Sequence, residues 1–177
     1  MSAADWPAGV HAVFRSKVIR QIGTVPDAGL TRLLDLCSAD NTMRVLTLTR
    51  EDEGVGLLAG AWLGGERAAL LMQSSGVGNV INALSLPAVC RMPCLMVVTM
   101  RGQWGEANGW QVPMGGAASS VLEAMGTTCY PVDRAEDVGE TVAAAADMAF
   151  SAGIAAAVLI GQRVIGAKTF DANGDAS

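Results

Sequence analysis

Residues 43–49 form a β-rich run that ends in Arg50-Glu51-Asp52-Glu53, and a segment of small residues begins there with no linker. That junction constrains the fold more than any other stretch. Gly54, Gly56, Ala59, Gly60 and Ala61 fill a predicted helix that reaches Leu63. Glycine in a helix interior costs about 1 kcal/mol relative to alanine, so such a helix is justified by close approach of a neighbour. A carboxylate at the junction stands at the end of a strand. In open α/β sheets that end is where ligands bind.

The chain has 177 residues, enough for one domain with a full core. Hydrophobic residues make up 51% of it and aromatics only 5%, so the core must be aliphatic and alanine-rich. Together with 21 glycines this favours alternating strands and helices over an all-β sandwich. A net charge of -5 offers no basic field to nucleic acid. No apolar run approaches the roughly 20 residues that span a bilayer. Residues 1–7 are polar and lack the apolar region of a signal peptide, so a cytoplasmic location is expected.

Four cysteines are present: Cys37, Cys90, Cys94 and Cys129. Cys90 and Cys94 have the spacing of a metal pair. Pro93 and the apolar run 94–100 point instead to buried thiols at a strand start. The single histidine, His11, is far away in sequence, which argues against zinc. Free buried thiols suit a reducing compartment.

Periodicity predicts helices over residues 6–20, 28–36, 51–63, 76–90, 117–125 and 136–151. It predicts strands over 21–25, 43–49, 68–72, 93–100, 128–132 and 155–160. Residues 101–116 read as a long glycine-rich loop. One domain over 1–170 is expected, followed by a disordered tail over 171–177. Strands that are continuous apolar runs imply a mainly parallel sheet covered on both faces, an α/β three-layer sandwich. Its ligand edge would be built from Pro26-Asp27, Arg50-Glu51, Gln73-Ser74-Ser75-Gly76 and the 101–116 loop.

Each feature also has a plain structural reading. Gly54-Val55-Gly56 with Gly60, and Gly76-Val77-Gly78, lack the spacing of a dinucleotide fingerprint or a phosphate loop. Tight helix packing explains them. Glu51, Asp52 and Glu53 are the acids that a helix N-terminus favours. Ser74 and Ser75 do not form a GxSxG elbow, and capping accounts for them. Arg101, directly after the most apolar strand, can clamp an anionic substrate with two hydrogen bonds or form a salt bridge to Glu106.

Taken together, the segments resemble the alpha subunit of sulfopyruvate decarboxylase and the related phosphonopyruvate decarboxylases. They are Val25-Pro26-Asp27, Thr49-Arg50-Glu51-Asp52-Glu53-Gly54, Ala59-Gly60-Ala61, Leu71-Met72-Gln73-Ser74-Ser75-Gly76-Val77-Gly78-Asn79, Arg101-Gly102 and Gln111-Val112-Pro113-Met114-Gly115. They run in family order from about residue 10 to residue 168. The resemblance implies the pyrimidine-binding domain of a thiamine-diphosphate enzyme. In that superfamily a glutamate precedes a small-residue helix, with a glycine nine positions later. Glu51 and Gly60 keep that spacing, whereas Asp52 and Glu53 do not.

The implied role of Glu51 is to hydrogen-bond N1′ of the cofactor aminopyrimidine. The cofactor would be bound by Glu51, Pro26, Ser75, Gly76 and Asn79, and the substrate by Asp27, Arg101 and Gln111. Such enzymes hold Mg²⁺ and the diphosphate through a GDG segment and a later asparagine. This sequence contains no GDG, so the resemblance implies a beta subunit that carries the Mg²⁺ half and no metal on this chain. It further implies a hetero-oligomer with two or more alpha chains. The implied reaction is decarboxylation of an anionic 3-carbon 2-keto acid, 3-sulfopyruvate first and phosphonopyruvate second. The paired histidines of simple pyruvate decarboxylases are absent. A non-catalytic structural or regulatory subunit, and a Rossmann-type oxidoreductase, are the readings from other classes.

Overall fold

The computed structural model describes residues 5–167. Six strands form one sheet: β1 (Ile19–Thr24), β2 (Arg44–Thr47), β3 (Arg67–Gln73), β4 (Cys94–Thr99), β5 (Thr128–Val132) and β6 (Ala155–Ile160). Their order is β2-β1-β3-β4-β6-β5, and every pairing is parallel. Parallel strands need crossovers, and the helices supply them. They are α1 (Trp6–Ser16), α2 (Thr31–Ala39), α3 (Glu51–Leu63), α4 (Ser74–Val80), α5 (Ser85–Cys90), α6 (Gln111–Ala124), α7 (Val138–Ala152) and α8 (Gln162–Ile165).

Alternate residues of each strand feed two separate cores. In β4, Leu95 and Val97 join Val10 and Phe14 of α1, Leu33 of α2 and Val142 of α7. Met96 and Val98 of the same strand join Val55 and Leu58 of α3, Val77 of α4 and Leu122 of α6 on the opposite face. The three-layer α/β sandwich inferred from continuous apolar strands is therefore the observed architecture. Burial in these layers pushes the Cys94 thiol up to about 12. Burial, aided by the nearby Asp40 carboxylate, does the same to Cys37. Both are inert fillers of the core; Cys90, expected to be buried beside Cys94, is instead exposed because it ends helix α5 and does not belong to the strand.

Several helices differ from the sequence expectation. The helix expected over 6–20 ends at Ser16, with residues 19 and 20 already in β1, and the one expected over 28–36 extends to Ala39. The predicted 76–90 helix is interrupted at residues 81–84 and restarts as α5. Inside one continuous helix Pro87 would clash with a carbonyl one turn back, whereas the break places it in the first turn of a new helix. The helix expected from residue 117 begins at Gln111, and its first turn holds Pro113 for the same reason. Gly115-Gly116 gave that segment the look of a loop, but Gly115 is where α6 lies against the carbonyl of Arg101. The loop after β4 is thus residues 101–110. Strand bounds moved little: β5 and β6 coincide with the expected ranges, and β1 starts two residues earlier. The expected tail over 171–177 lies outside the described residues.

The chain leaves β1 toward β2 on one side, and β3 continues on the other. That reversal makes the C-terminal ends of β1 and β3 the topological switch point, the expected ligand crevice.

Candidate active site

Glu51 is the first residue of α3, reached through an extended Arg50. The three consecutive acids at this N-terminus have separate fates. Glu53 turns back to accept the backbone N–H of Thr49 at 3.0 Å, which fixes the strand-to-helix junction. Asp52 lies 3.3 Å from the Arg50 guanidinium. Glu51 alone points inward and is 8% exposed. Its Oε2 accepts from the Asn79 side-chain amide at 2.7 Å. Gly76 packs directly on the carboxyl group, and a Cβ there would stand 2.5 Å from Oε1 and 2.6 Å from Cδ. Glycine is what lets α4 come this close. The Gly-x-Gly at 76–78 therefore serves contact with Glu51 and with Met114 of α6, not a phosphate loop.

A second carboxylate stands at the end of β1. Asp27 accepts from Gln73 Nε2 at 2.6 Å, from Thr99 Oγ1 at 3.1 Å and from the Gly29 N–H at 3.0 Å. Gln73 and Thr99 are the last paired residues of β3 and β4, so the sheet register itself brings both donors to Asp27. Ser75 donates to Gln73 Oε1 at 2.9 Å. Pro26 and Ser75 are exposed beside this cluster. Glu51, Gly76, Asn79, Asp27, Gln73 and Ser75 thus share the β1/β3 end of the sheet.

Arg101 sits at the end of β4 and is only 4% exposed. Its Nε and Nη2 donate to Glu106 at 2.6 and 2.5 Å, a bidentate pair whose side chains are 5% and 4% exposed. Glu106 also accepts from the Gly102 and Asn108 N–H groups and from Gln162 Nε2. These donors, Arg101 first, hold its carboxyl at about 2, well below the usual carboxylate range. The salt-bridge reading of Arg101 is what the geometry displays, with the planar fork taken up inside the 101–110 loop. Gln111 follows at the start of α6, and its Oε1 is buried without a hydrogen-bond partner.

Sequence reasoning did not single out Gln73, Thr99, Glu106 or Gln162 as hub residues. Each ends an apolar strand or lies within two residues of its end, except Glu106, so the strand-end rule held the signal for the other three. A cavity of about 830 Å³ opens beside the 101–110 loop, lined by Trp104, Ser119, Asp133 and Arg163 among others, and neither Glu51 nor Asp27 lines it. Among the described residues no group of three or more His, Cys, Asp or Glu could hold a metal. No described helix is long and apolar enough to cross a membrane.

The architecture is an all-parallel α/β sandwich with its polar side chains gathered at the C-terminal ends of the strands. A solved structure of 2-oxoglutarate:ferredoxin oxidoreductase from Magnetococcus marinus shares the fold at a TM-score of 0.75 and 13% identity, over 96% of this chain and 34% of that one. The sulfopyruvate decarboxylase alpha subunit of Methanothermobacter thermautotrophicus is 36% identical over 141 residues, 77% of this chain and 86% of the relative. That of Methanococcus maripaludis is 42% identical over 103 residues, 58% of this chain and 62% of the relative. The chain belongs to the family of sulfopyruvate decarboxylase alpha subunits. Phosphonopyruvate decarboxylase of Streptomyces viridochromogenes is 37% identical over 109 residues, 61% of this chain but 26% of the longer relative. No protein-family profile matches the chain.

Two outcomes follow from the packing and the charge. Gly76→Ala should destabilise the chain by about 1–3 kcal/mol in urea unfolding, because it forces backbone away from Glu51. Gly60→Ala, with nothing within 4 Å of its Cβ, should be neutral or stabilise by up to about 1 kcal/mol. Equal effects at the two positions would contradict the close approach. The Glu106 carboxyl is depressed from an ordinary 4.5 to about 2. Its contribution to stability is therefore present above about pH 4.5 and is lost as pH falls toward 2. The stability gap between wild type and Glu106→Gln should close over that window, and a constant gap would show that the pair's charge is not what matters.

Proposed function

We propose that this chain is the pyrimidine-binding alpha subunit of a thiamine-diphosphate-dependent decarboxylase that converts 3-sulfopyruvate to sulfoacetaldehyde and carbon dioxide. One proton takes the place of the lost carboxylate. The observation that carries the reading is Glu51. It is an inward-facing carboxylate at the strand edge, held by Asn79 and packed by Gly76, in a chain related to sulfopyruvate decarboxylases along most of its length. A subunit with only a structural role has no need to bury such a group.

The residues fit the cofactor's pyrimidine end. Glu51 would hold a proton at N1′, and Asn79 would keep the carboxyl from rotating. Gly76 leaves the space that a side chain would fill, while Pro26 and Ser75 border the mouth. When bound, thiamine diphosphate supplies a nucleophilic carbon and an electron sink for the departing carboxylate. The described residues offer no metal cluster and the sequence has no GDG segment. Mg²⁺ and the diphosphate therefore fall, in this reading, to a beta subunit that carries GDG and a later asparagine. The exposed faces of α3 and α5, with Gly56, Gly60, Leu63, Leu86 and Val89, suit contacts between chains in a hetero-oligomer. Four free cysteines agree with a cytoplasmic setting.

On the substrate side, Asp27 and Gln111 would meet the keto acid. Arg101 enters differently from the sequence expectation. Its fork is already engaged by Glu106, so we assign it to shaping the loop rather than to gripping the distal anion. The phosphonopyruvate reading rests on the Streptomyces relative. Both substrates place an anion beyond a 2-keto acid.

Glu51→Gln should leave the fold and assembly intact and lower decarboxylation by about 10²–10⁴-fold, the usual loss for one acid–base group. Activity above a tenth of wild type would remove Glu51 from the mechanism. Arg101→Ala should lower kcat/KM by a similar factor on 3-sulfopyruvate and on pyruvate. A loss confined to the sulfonated acid would return Arg101 to direct anion binding.

A further inference from the structure

Gln162 follows β6 after Gly161, opens the short helix α8, and has none of its surface exposed. A fully buried glutamine must have its amide satisfied on both sides. Here Oε1 accepts from the Gln103 and Trp104 N–H groups, both at 2.9 Å. On the other side Nε2 donates to Glu106 Oε2 at 3.0 Å. The backbone N–H of Gln162 donates in turn to Gln103 Oε1 at 3.1 Å. The two glutamines therefore exchange side-chain-to-backbone bonds beyond the ends of the neighbouring strands β4 and β6. The partners also fix the amide's orientation, because two N–H groups require an oxygen and a carboxylate requires an N–H.

Apart from the Arg101 N–H, the ties of residues 101–106 lead to this amide or to the carboxylate it touches; beyond them the Trp110 N–H donates to Asn108 Oδ1 at 3.1 Å. Glu106 collects Arg101, Gly102 and Asn108. Arg163, the neighbour of Gln162, lies 3.9 Å over the Trp104 ring. The loop's two ends lead to the site. At its start, the Arg101 N–H donates to Ser74 Oγ at 3.0 Å, where α4 begins. The Arg101 guanidinium also feels the charge of Asp27. At its end the loop runs into Gln111. Trp104 and Trp110 are exposed on the loop's outer face.

We infer that Gln162 is a positioning residue that pins the 101–110 loop through Gln103, Trp104 and Glu106. In doing so it holds Arg101 within the loop and sets Gln111 at the substrate side of the site, apart from Glu51 and the cofactor. The catalytic part of this inference rests on the decarboxylase reading; the anchoring part does not.

The test uses the full chain with its beta partner and four variants. These are Gln162→Leu, Gln162→Glu, Glu106→Gln, and the double variant Glu106→Gln with Gln162→Glu, which exchanges amide and carboxylate. In Gln162→Leu, hydrogen exchange at the Gln103 and Trp104 amides should quicken by about tenfold or more, while β4 and β6 amides keep their protection. KM for 3-sulfopyruvate should rise by about tenfold, with the Kd for thiamine diphosphate unchanged. Gln162→Glu sets two carboxylates against each other and should loosen the loop likewise. The double variant removes that repulsion and should slow exchange at residues 103 and 104 relative to Gln162→Glu, while the two bonds from Arg101 to a carboxylate stay lost.

Unchanged exchange at residues 103 and 104 would overturn the anchor. Faster exchange with an unchanged KM would overturn the positioning role, and so would a cofactor Kd weakened as much as KM. A double variant whose 103 and 104 amides exchange as fast as those of Gln162→Glu would overturn the contact between positions 106 and 162. If Gln162→Leu fails to fold, the near-isosteric single and double variants carry the decision. A wild-type complex inert toward 3-sulfopyruvate would sink the decarboxylase reading, and the exchange rates would still decide the anchor.

Discussion

A parallel sheet with helices on both faces has no wet face, so polar side chains can gather only at its two edges. All six strands here pair in parallel, and their interior residues alternate between two aliphatic cores. The C-terminal edge then collects Asp27, Glu51, Gln73, Thr99, Arg101 and Gln162, each at or just past a strand end. Register does the fine placement. Because Gln73 pairs with Thr99, both reach the same carboxylate at the end of β1. Chemistry at this edge is a consequence of how the sheet is covered.

Glycine sets the depth of the site. Gly76 lets α4 lie on the Glu51 carboxyl, and Gly54 lets α3 lie against Leu48 and Leu70. Gly56 and Gly60 on the same helix face open space. One helix thus spends its small residues on two tasks: an inner contact that aims a carboxylate and an outer surface free for another chain.

Much of this was legible in the sequence, for identifiable reasons. Continuous apolar strands required a covered parallel sheet, and β5 and β6 had unambiguous ends. Glu51 could be told from Asp52 and Glu53 only through the family spacing to Gly60; the structure separates the three by burial and by the Thr49 bond of Glu53. The breaks around Pro87 and Pro113 were misread because a proline that ends one helix also suits the first turn of the next. The bond between Glu106 and Gln162 was hidden because it spans 56 residues and depends on the bend of a loop. No local pattern encodes such a bond.

The central claim is that this chain supplies the pyrimidine half of a cofactor site whose diphosphate half lies on a partner. Calorimetric titration of thiamine diphosphate with Mg²⁺ tests it most directly, into the chain alone and into the chain mixed with a GDG-bearing partner. Weak or absent binding by the chain alone, and tight Mg²⁺-dependent binding by the mixture, are the predicted results. Tight Mg²⁺-dependent binding by the chain alone, or none by the mixture, would contradict the account.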